Sequence, residues 1–213
     1  MSRAIRKPAA ERRADITAAA VALALEEGLA GITMRAVATR IGVAPALVAH
    51  YEPNMDELVT STFRAIVGGE LDELEVQLSP IASAAEKLDL LVSTLLDGSR
   101  DAVTHVWVDG WSLGRRNETL AEGVRAEMDR WHAAITRILV AGSATGELGL
   151  REGAADAVAW QILGMIDGLN AHALVRWGRD ASRPDLLRSV LNAILRPETA
   201  QNSTETTSLK RDF

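Results

Sequence analysis

The side chains able to do chemistry fall into two groups, and neither is set out for making or breaking bonds. The four histidines, His50, His105, His132 and His172, are scattered, and there is no cysteine. No HExxH pair, phosphate-binding glycine loop or serine in a nucleophile elbow occurs. His132 with Glu127 or Asp129 is better explained as exposed charge on a helix. No catalytic residue, metal site or cofactor is therefore expected. The first group suits a polyanion instead. It lies in the stretch TMRAVATRIGVAPALVAHY at 33–51 and comprises Thr33, Arg35, Pro45, Ala46, Ala49, His50 and Tyr51, with Arg3, Arg6 and Lys7 ahead of it. His50 and Tyr51 can donate to phosphates or base edges, and Ala46 can meet a thymine methyl. Thr33 and the N–H groups of helix N-termini can hold phosphate without carrying charge. His50 has a second reading, as a side chain packed inside a small helical unit.

The second group comprises Trp107, Trp111, Met128, Trp131, His132, Met165, Asp167 and Asn170. Large flat side chains with a few polar ones line small-molecule cavities, although tryptophans at helical spacing also build ordinary core. Asp167 in an apolar run needs a partner, because burying a lone carboxylate is expensive. It has three readings: a ligand anchor, a partner for Arg115 or Arg130, or a structural cap.

These residues must be positioned by helices. Ile16, Ala20, Leu23 and Ala24 recur at helical spacing over 11–27, and Gly28 stands where a helix-stopping glycine belongs. Thr33 can cap a helix over 34–41 that Gly42 ends. Pro45 suits the first turn of another helix over 45–51. Helices of about eight residues do not stand alone in water, so these two must be held by the first, through Ile16, Ala20, Leu23, Val37, Ile41, Val43 and Leu47. The cluster holds one short helix at an angle fit for a major groove. Asn54 with Glu57 predicts a capped helix over 55–78. Further helical patterns run over 83–97, 100–113, 119–141, 154–177 and 184–195, and no alternating strand pattern occurs. The fold class is all-α. The expected division is a basic arm and helix-turn-helix head at 1–53, a helical body at 54–196 and a polar, disordered tail at 197–213.

The chain of 213 residues is 47% hydrophobic, ample for a core, and its net charge of -6 argues against coating nucleic acid by bulk charge. The distribution is more telling. Residues 1–55 carry seven basic and five acidic side chains, and the remainder carries 16 and 24. With no cysteine, no apolar leader and no clean membrane span, a soluble cytoplasmic protein without membrane partners is expected.

The residues Gly28, Thr33-Met34-Arg35-Ala36-Val37-Ala38, Ile41-Gly42-Val43-Ala44-Pro45, His50-Tyr51 and Pro53-Asn54 with Asp56-Glu57-Leu58 resemble the TetR family of bacterial one-component regulators. The resemblance covers about residues 12–60. It implies an omega-shaped homodimer with about nine helices per subunit, the first three for double-stranded DNA and the last two for the dimer. It also implies a small-molecule ligand in the body. Arg130-Trp131 and Ile166-Asp167-Gly168-Leu169 are similar, more loosely, to the subgroup typified by the choline-responsive regulator of betaine synthesis. A quaternary ammonium suits an aromatic cage and a flat apolar effector suits tryptophans equally. The family's aromatic at position 49 and basic residue at position 55 touch the DNA backbone; here Ala49 and Met55 replace them, and Glu52 stands where phenylalanine is usual.

The helix at 154–177 is apolar around most of its circumference, which one subunit rarely needs. Trp160, Gly164, Gly168 and His172 there, with Leu187 and Leu191 beyond, are the expected dimer interface. A twofold dimer implies a palindromic operator. The expected function is a transcriptional repressor released from that operator by an unknown effector, with activation an alternative sign of control. The rival is a helical dimeric binding or scaffold protein whose head has lost strong DNA binding.

Overall fold

The computed structural model describes residues 7–178 and 180–195. All regular structure among them is helical: α1 (Ala9–Glu27), a 3-10 turn (Leu29–Gly31), α2 (Met34–Arg40), α3 (Pro45–Tyr51), α4 (Met55–Leu78), α5 (Ala84–Leu96), α6 (Asp101–Gly114), α7 (Glu118–Ala144), α8 (Ala155–Leu174) and α9 (Arg183–Ile194). Arg3, Arg6 and the tail at 197–213 lie outside the described residues. The chain forms two compact units, Met1–Leu71 with Ala102–Met128 and Asp72–Asp101 with Asp129–Phe213.

In the first unit, α1 buries Ile16, Ala19, Ala20, Leu23 and Ala24 against Val37 and Ala38 of α2 and Val48 of α3. Ile41 and Val43 pack at the edge of this cluster, as the spacing predicts. Val48, absent from the predicted contacts, is fully buried and is the residue that seats α3. The local signals act as expected. Thr33 Oγ1 accepts from the Ala36 N–H at 3.1 Å, capping α2. Gly42, at φ 67°, closes it: its N–H reaches the Thr39 carbonyl at 3.2 Å while the Val43 N–H reaches Ala38 at 3.0 Å. Ala44 is extended and Pro45 opens α3, where a missing N–H costs nothing. Asn54 Oδ1 accepts from the N–H groups of Asp56 and Glu57 at 3.1 and 3.4 Å, capping α4.

The second unit is built on α5, the later part of α7, α8 and α9. Leu88, Leu91, Val92, Leu95 and Leu96 of α5 are buried, as are Ile135, Ile138 and Leu139 of α7, Ile162 and Ile166 of α8, and Leu187 and Leu191 of α9. Glu147 closes the first turn of α5, accepting from the Ala84 and Ala85 N–H groups at 2.8 and 3.1 Å and from the Ser83 hydroxyl. These bonds, the Ser83 hydroxyl foremost, hold the Glu147 carboxyl below its ordinary range.

Helix α8 ends at Leu174, three residues before the periodicity predicts. The Arg176 N–H bonds the Ala173 carbonyl at 2.8 Å and the Trp177 N–H bonds His172 at 3.1 Å, a helix-ending pair that places Arg176 at φ 63°. Glycine adopts that conformation without the side-chain clash of an L-residue, so Arg176→Gly is expected to raise stability by about 0.5–1 kcal/mol. Urea unfolding of both chains measures it, and a less stable variant would count against this account of the helix end.

Candidate nucleic-acid interface and effector-side residues

Buried Val48 turns the other side of α3 outward. Pro45, Ala46 and His50 are exposed, and Ala49 is half-buried between them. Positions 45, 46, 49 and 50 share a helix face, since residues four apart stack on one side. His50 is thus on the outside of the head, its ring edge-on to Tyr51 with centroids 5.1 Å apart. Tyr51 is half-buried at the rim of the core, and the Arg13 guanidinium sits 5.9 Å over its ring. Thr33 and Arg35 are exposed at the start of α2. Arg35 makes no hydrogen bond or ion pair to any described residue, so its charge is free for a phosphate.

The head's other described cations are engaged. Lys7 Nζ lies 2.7 Å from Asp15 Oδ2, and Arg12 reaches the same oxygen at 3.4 Å. Arg40 forms a two-pronged pair with Glu26, one bond being 2.8 Å and the other Nη2 to Oε2. Arg12, Arg13 and Arg40 were absent from the predicted contact set. The Arg12–Asp15 spacing of one helical turn is a signal that sequence offers, and the Arg40–Glu26 pair is not.

Also in the first unit, α6 carries an aromatic group against α4. Phe63 and Trp107 meet edge to face with centroids 5.2 Å apart, and Trp107 and Trp111 are tilted at 5.8 Å. Met128 packs on the same cluster. A Cβ on Gly110 would come within 2.7 Å of the Phe63 ring, so the glycine lets α6 approach α4. Three buried polar atoms of the first unit have no hydrogen-bond partner among the described residues: Thr60 Oγ1 and Thr62 Oγ1 on α4, and Trp111 Nε1 in the aromatic group. Buried polar atoms are seldom left unmatched, so they mark where water or a polar ligand would be welcome.

In the second unit Trp131 is buried with its Nε1 unmatched. The half-buried His132 places Nε2 3.1 Å from the Asp156 carbonyl and its ring 5.4 Å from Trp160. Met165 and Asp167 are half-buried on α8. Burial alone pushes the Asp167 carboxyl up to about 6, and it has no ion pair or hydrogen bond among the described residues. Arg130, one suggested partner, instead bonds Asp72 at 2.6 Å. Asn170 is engaged at both ends: its Nδ2 donates to the Leu95 carbonyl at 3.0 Å and its Oδ1 accepts from Arg183 at 2.8 Å. It ties α5 and α9 to α8.

Of the residues expected at a dimer interface, Trp160 is 54% exposed, and Gly164 and His172 are exposed, with Gly168 half-buried. They recur every fourth residue along one side of α8. A Cβ at Gly164 or Gly168 would meet nothing, so neither glycine is needed within one chain. Leu187 and Leu191 are placed differently, 1% and 7% exposed in the unit's own core, while Leu186 of α9 is 45% exposed.

Two family models match the chain. Residues 16–62 match bacterial regulatory proteins of the tetR family, and residues 84–198 match the BetI-type transcriptional repressor C-terminal region. The chain belongs to the TetR family. Within it, similarity reaches an HTH-type transcriptional regulator BetI of Rhizobium meliloti (strain 1021), 28% identical over 109 residues, covering 50% of this chain and 54% of that relative. The chain thus matches about half the length of that relative. BetI of Cronobacter sakazakii is 26% identical over 58% of this chain and 71% of its own length. Among solved structures, a transcriptional regulator of Saccharomonospora viridis in complex with choline is similar, with TM-score 0.73, 25% identity, and 86% of this chain and 95% of that one covered. A Rhodococcus TetR-family regulator shares the fold at TM-score 0.74 and 18% identity, covering 88% of this chain and all of that one. This TetR-family chain carries the family's all-helical fold and N-terminal helix-turn-helix. No helix among its described residues is long and apolar enough to cross a membrane.

Proposed function

We propose that this protein is a homodimeric transcriptional repressor of the bacterial cytoplasm that binds a palindromic operator and leaves it when a small-molecule effector enters the body. One observation carries the reading: buried Val48 seats α3 so that Pro45, Ala46, Ala49 and His50 face outward, while Arg35 at the start of α2 is exposed. Thr33 and Lys7 are exposed and Tyr51 is half-buried, and all three are taken as part of the DNA contact set. The dimer forms through Trp160, Gly164, Gly168 and His172 of α8 with its copy, since close helix approach explains glycines that the single chain does not need.

The effector contacts Trp107, Trp111 and Met128 in the first unit, where the Trp111 indole N–H awaits a partner. Choline is the first compound to test, given the similar Saccharomonospora viridis protein with choline bound. A cation over indole faces is a favourable contact, and an unpaired carboxylate at Asp167 would favour one in the second unit. The regulator has no catalytic step of its own.

Selection from randomised DNA, at low and then near-physiological salt, tests the function. Enrichment of a palindrome at the higher salt is expected. A folded dimer that enriches nothing would overturn the repressor and favour a scaffold, the reading that Ala49, Glu52 and Met55 and the internally paired cations support. On the selected site, Arg35→Ala is expected to weaken binding evenly across sequences and to lower the salt slope by about one. His50→Ala is expected to lose about tenfold on the operator and little on unrelated DNA. Equal losses on both DNAs would remove His50 from base reading.

A further inference from the structure

We propose that Asp109 is the positioning residue through which α6 sets the reading head; the proposal rests on the DNA-binding function above. The Asp109 Oδ2 accepts the Leu29 N–H at 2.7 Å, across 80 residues of sequence. Leu29 is 1% exposed and opens the 3-10 turn that leads from α1 to Thr33 and α2. This bond from α6 therefore fixes the turn between α1 and α2, adding a polar tie to the apolar packing that seats α2 and α3 on α1. The fit is close. A Cβ on Gly28 would lie 2.3 Å from Asp109 Oδ2 and 2.9 Å from the His105 ring, so carboxylate and imidazole press directly on the backbone. His105, one turn earlier on α6, lies 3.8 Å from the other Asp109 oxygen and flanks the contact.

The same helix carries Trp107 and Trp111, each two residues from Asp109. Two residues turn a helix through about 200°, so the indoles share one side of α6 and Asp109 occupies the other. A helix is stiff along its axis, so a shift or roll of α6 produced at the indoles moves the carboxylate by a comparable amount. The carboxylate either keeps the Leu29 N–H or loses it. A charged acceptor on a buried backbone donor is strong and directional, which makes it a discrete fastening where apolar packing would slide.

The experiment uses the full chain with Asp109→Ala and Asp109→Asn, melting curves confirming that both fold. Should Asp109→Ala fail to fold, Asp109→Ser, polar but too short to reach Leu29, takes its place. Amide hydrogen exchange is expected to quicken by at least about tenfold at Leu29 in the truncated variant, with smaller increases over residues 33–51. Affinity for the selected palindrome is expected to fall by about tenfold, while affinity for unrelated DNA stays within about twofold. Asparagine keeps an oxygen for the Leu29 N–H and should restore both readouts most of the way. Operator affinity unchanged in the truncated variant would overturn the proposal, as would unchanged exchange at Leu29. If the unaltered chain selects no palindrome, the proposed function fails by itself, and exchange over residues 29–51 alone decides the role of Asp109.

Discussion

Gly28→Ala is expected to lower stability by roughly 3 kcal/mol, from backbone strain of about 1–3 kcal/mol and the displaced bond at Leu29. The backbone at Gly28 has φ 80° and ψ 176°, a combination that side-chain-bearing residues scarcely adopt. Strain is only part of it, because the new methyl would stand 2.3 Å from the Asp109 carboxylate and 2.9 Å from His105. Moving that carboxylate away leaves the buried Leu29 N–H without its acceptor. Gly42→Ala is the control: it too has a positive φ, but a Cβ there meets nothing, so its cost should be nearer 1 kcal/mol. In thermal melts, a chain of this size loses about 2–4 °C per kcal/mol, so Gly28→Ala should melt some 6–12 °C lower. Equal effects of the two substitutions would show that the Asp109 contact adds nothing.

Asp167→Asn is expected to do the reverse and stabilise the protein at pH 7.5, by about 2–3 kcal/mol. Burial raises the folded carboxyl from its ordinary value of 3.8 to about 6. A proton is then held more tightly in the folded chain than in the unfolded one. The penalty for carrying a half-buried charge is complete above about pH 6, shrinks as the pH falls, and is gone below about pH 4. Wild type should therefore gain on the variant as the pH falls from about 6 to about 4, and urea unfolding at pH 7.5 and pH 4 measures the difference. A variant less stable than wild type at pH 7.5 would mean that the carboxylate has a favourable partner after all. The stabilising change should also weaken any cationic effector that Asp167 attracts, a common exchange of function for stability.

What could be read in the chain was local. Thr33, Gly42, Pro45 and Asn54 act within a few residues of themselves, so their types and spacing were enough to place α2, α3 and the start of α4. Ser83 marks the start of α5 in the same way. Less legible was which face of a helix turns inward. Periodicity puts Leu187 and Leu191 on one apolar stripe of α9 without saying whether that stripe meets the same chain or a copy, and they pack at home. The apolar pattern overruns the end of α8 because Val175 and Trp177 continue it, whereas backbone bonds stop the helix at Leu174. Least legible were the pairings across long separations. Nothing near Asp109 points to Leu29, and nothing near Asn170 points to Leu95 and Arg183, since a hydrogen bond between distant segments leaves no period. Gly28 was legible as a helix stop, but the reason it must be glycine lies on another helix.

The ion pairs of the head bear on how it would meet DNA. Asp15 and Glu26 are resident counterions for Lys7, Arg12 and Arg40. A phosphate approaching these cations finds its place already taken by a carboxylate, which must swing aside before the new contact forms. Each such exchange trades one ion pair for another, and added salt weakens the internal pair as well as the new one, so part of the salt effect cancels. The dependence of binding on salt should then be shallower than the number of basic residues in the head implies, with Arg35 supplying an unshielded charge. Long-range attraction to any stretch of DNA is muted by the same arrangement, so more of the discrimination falls to contacts that form only when α3 is seated against the right bases.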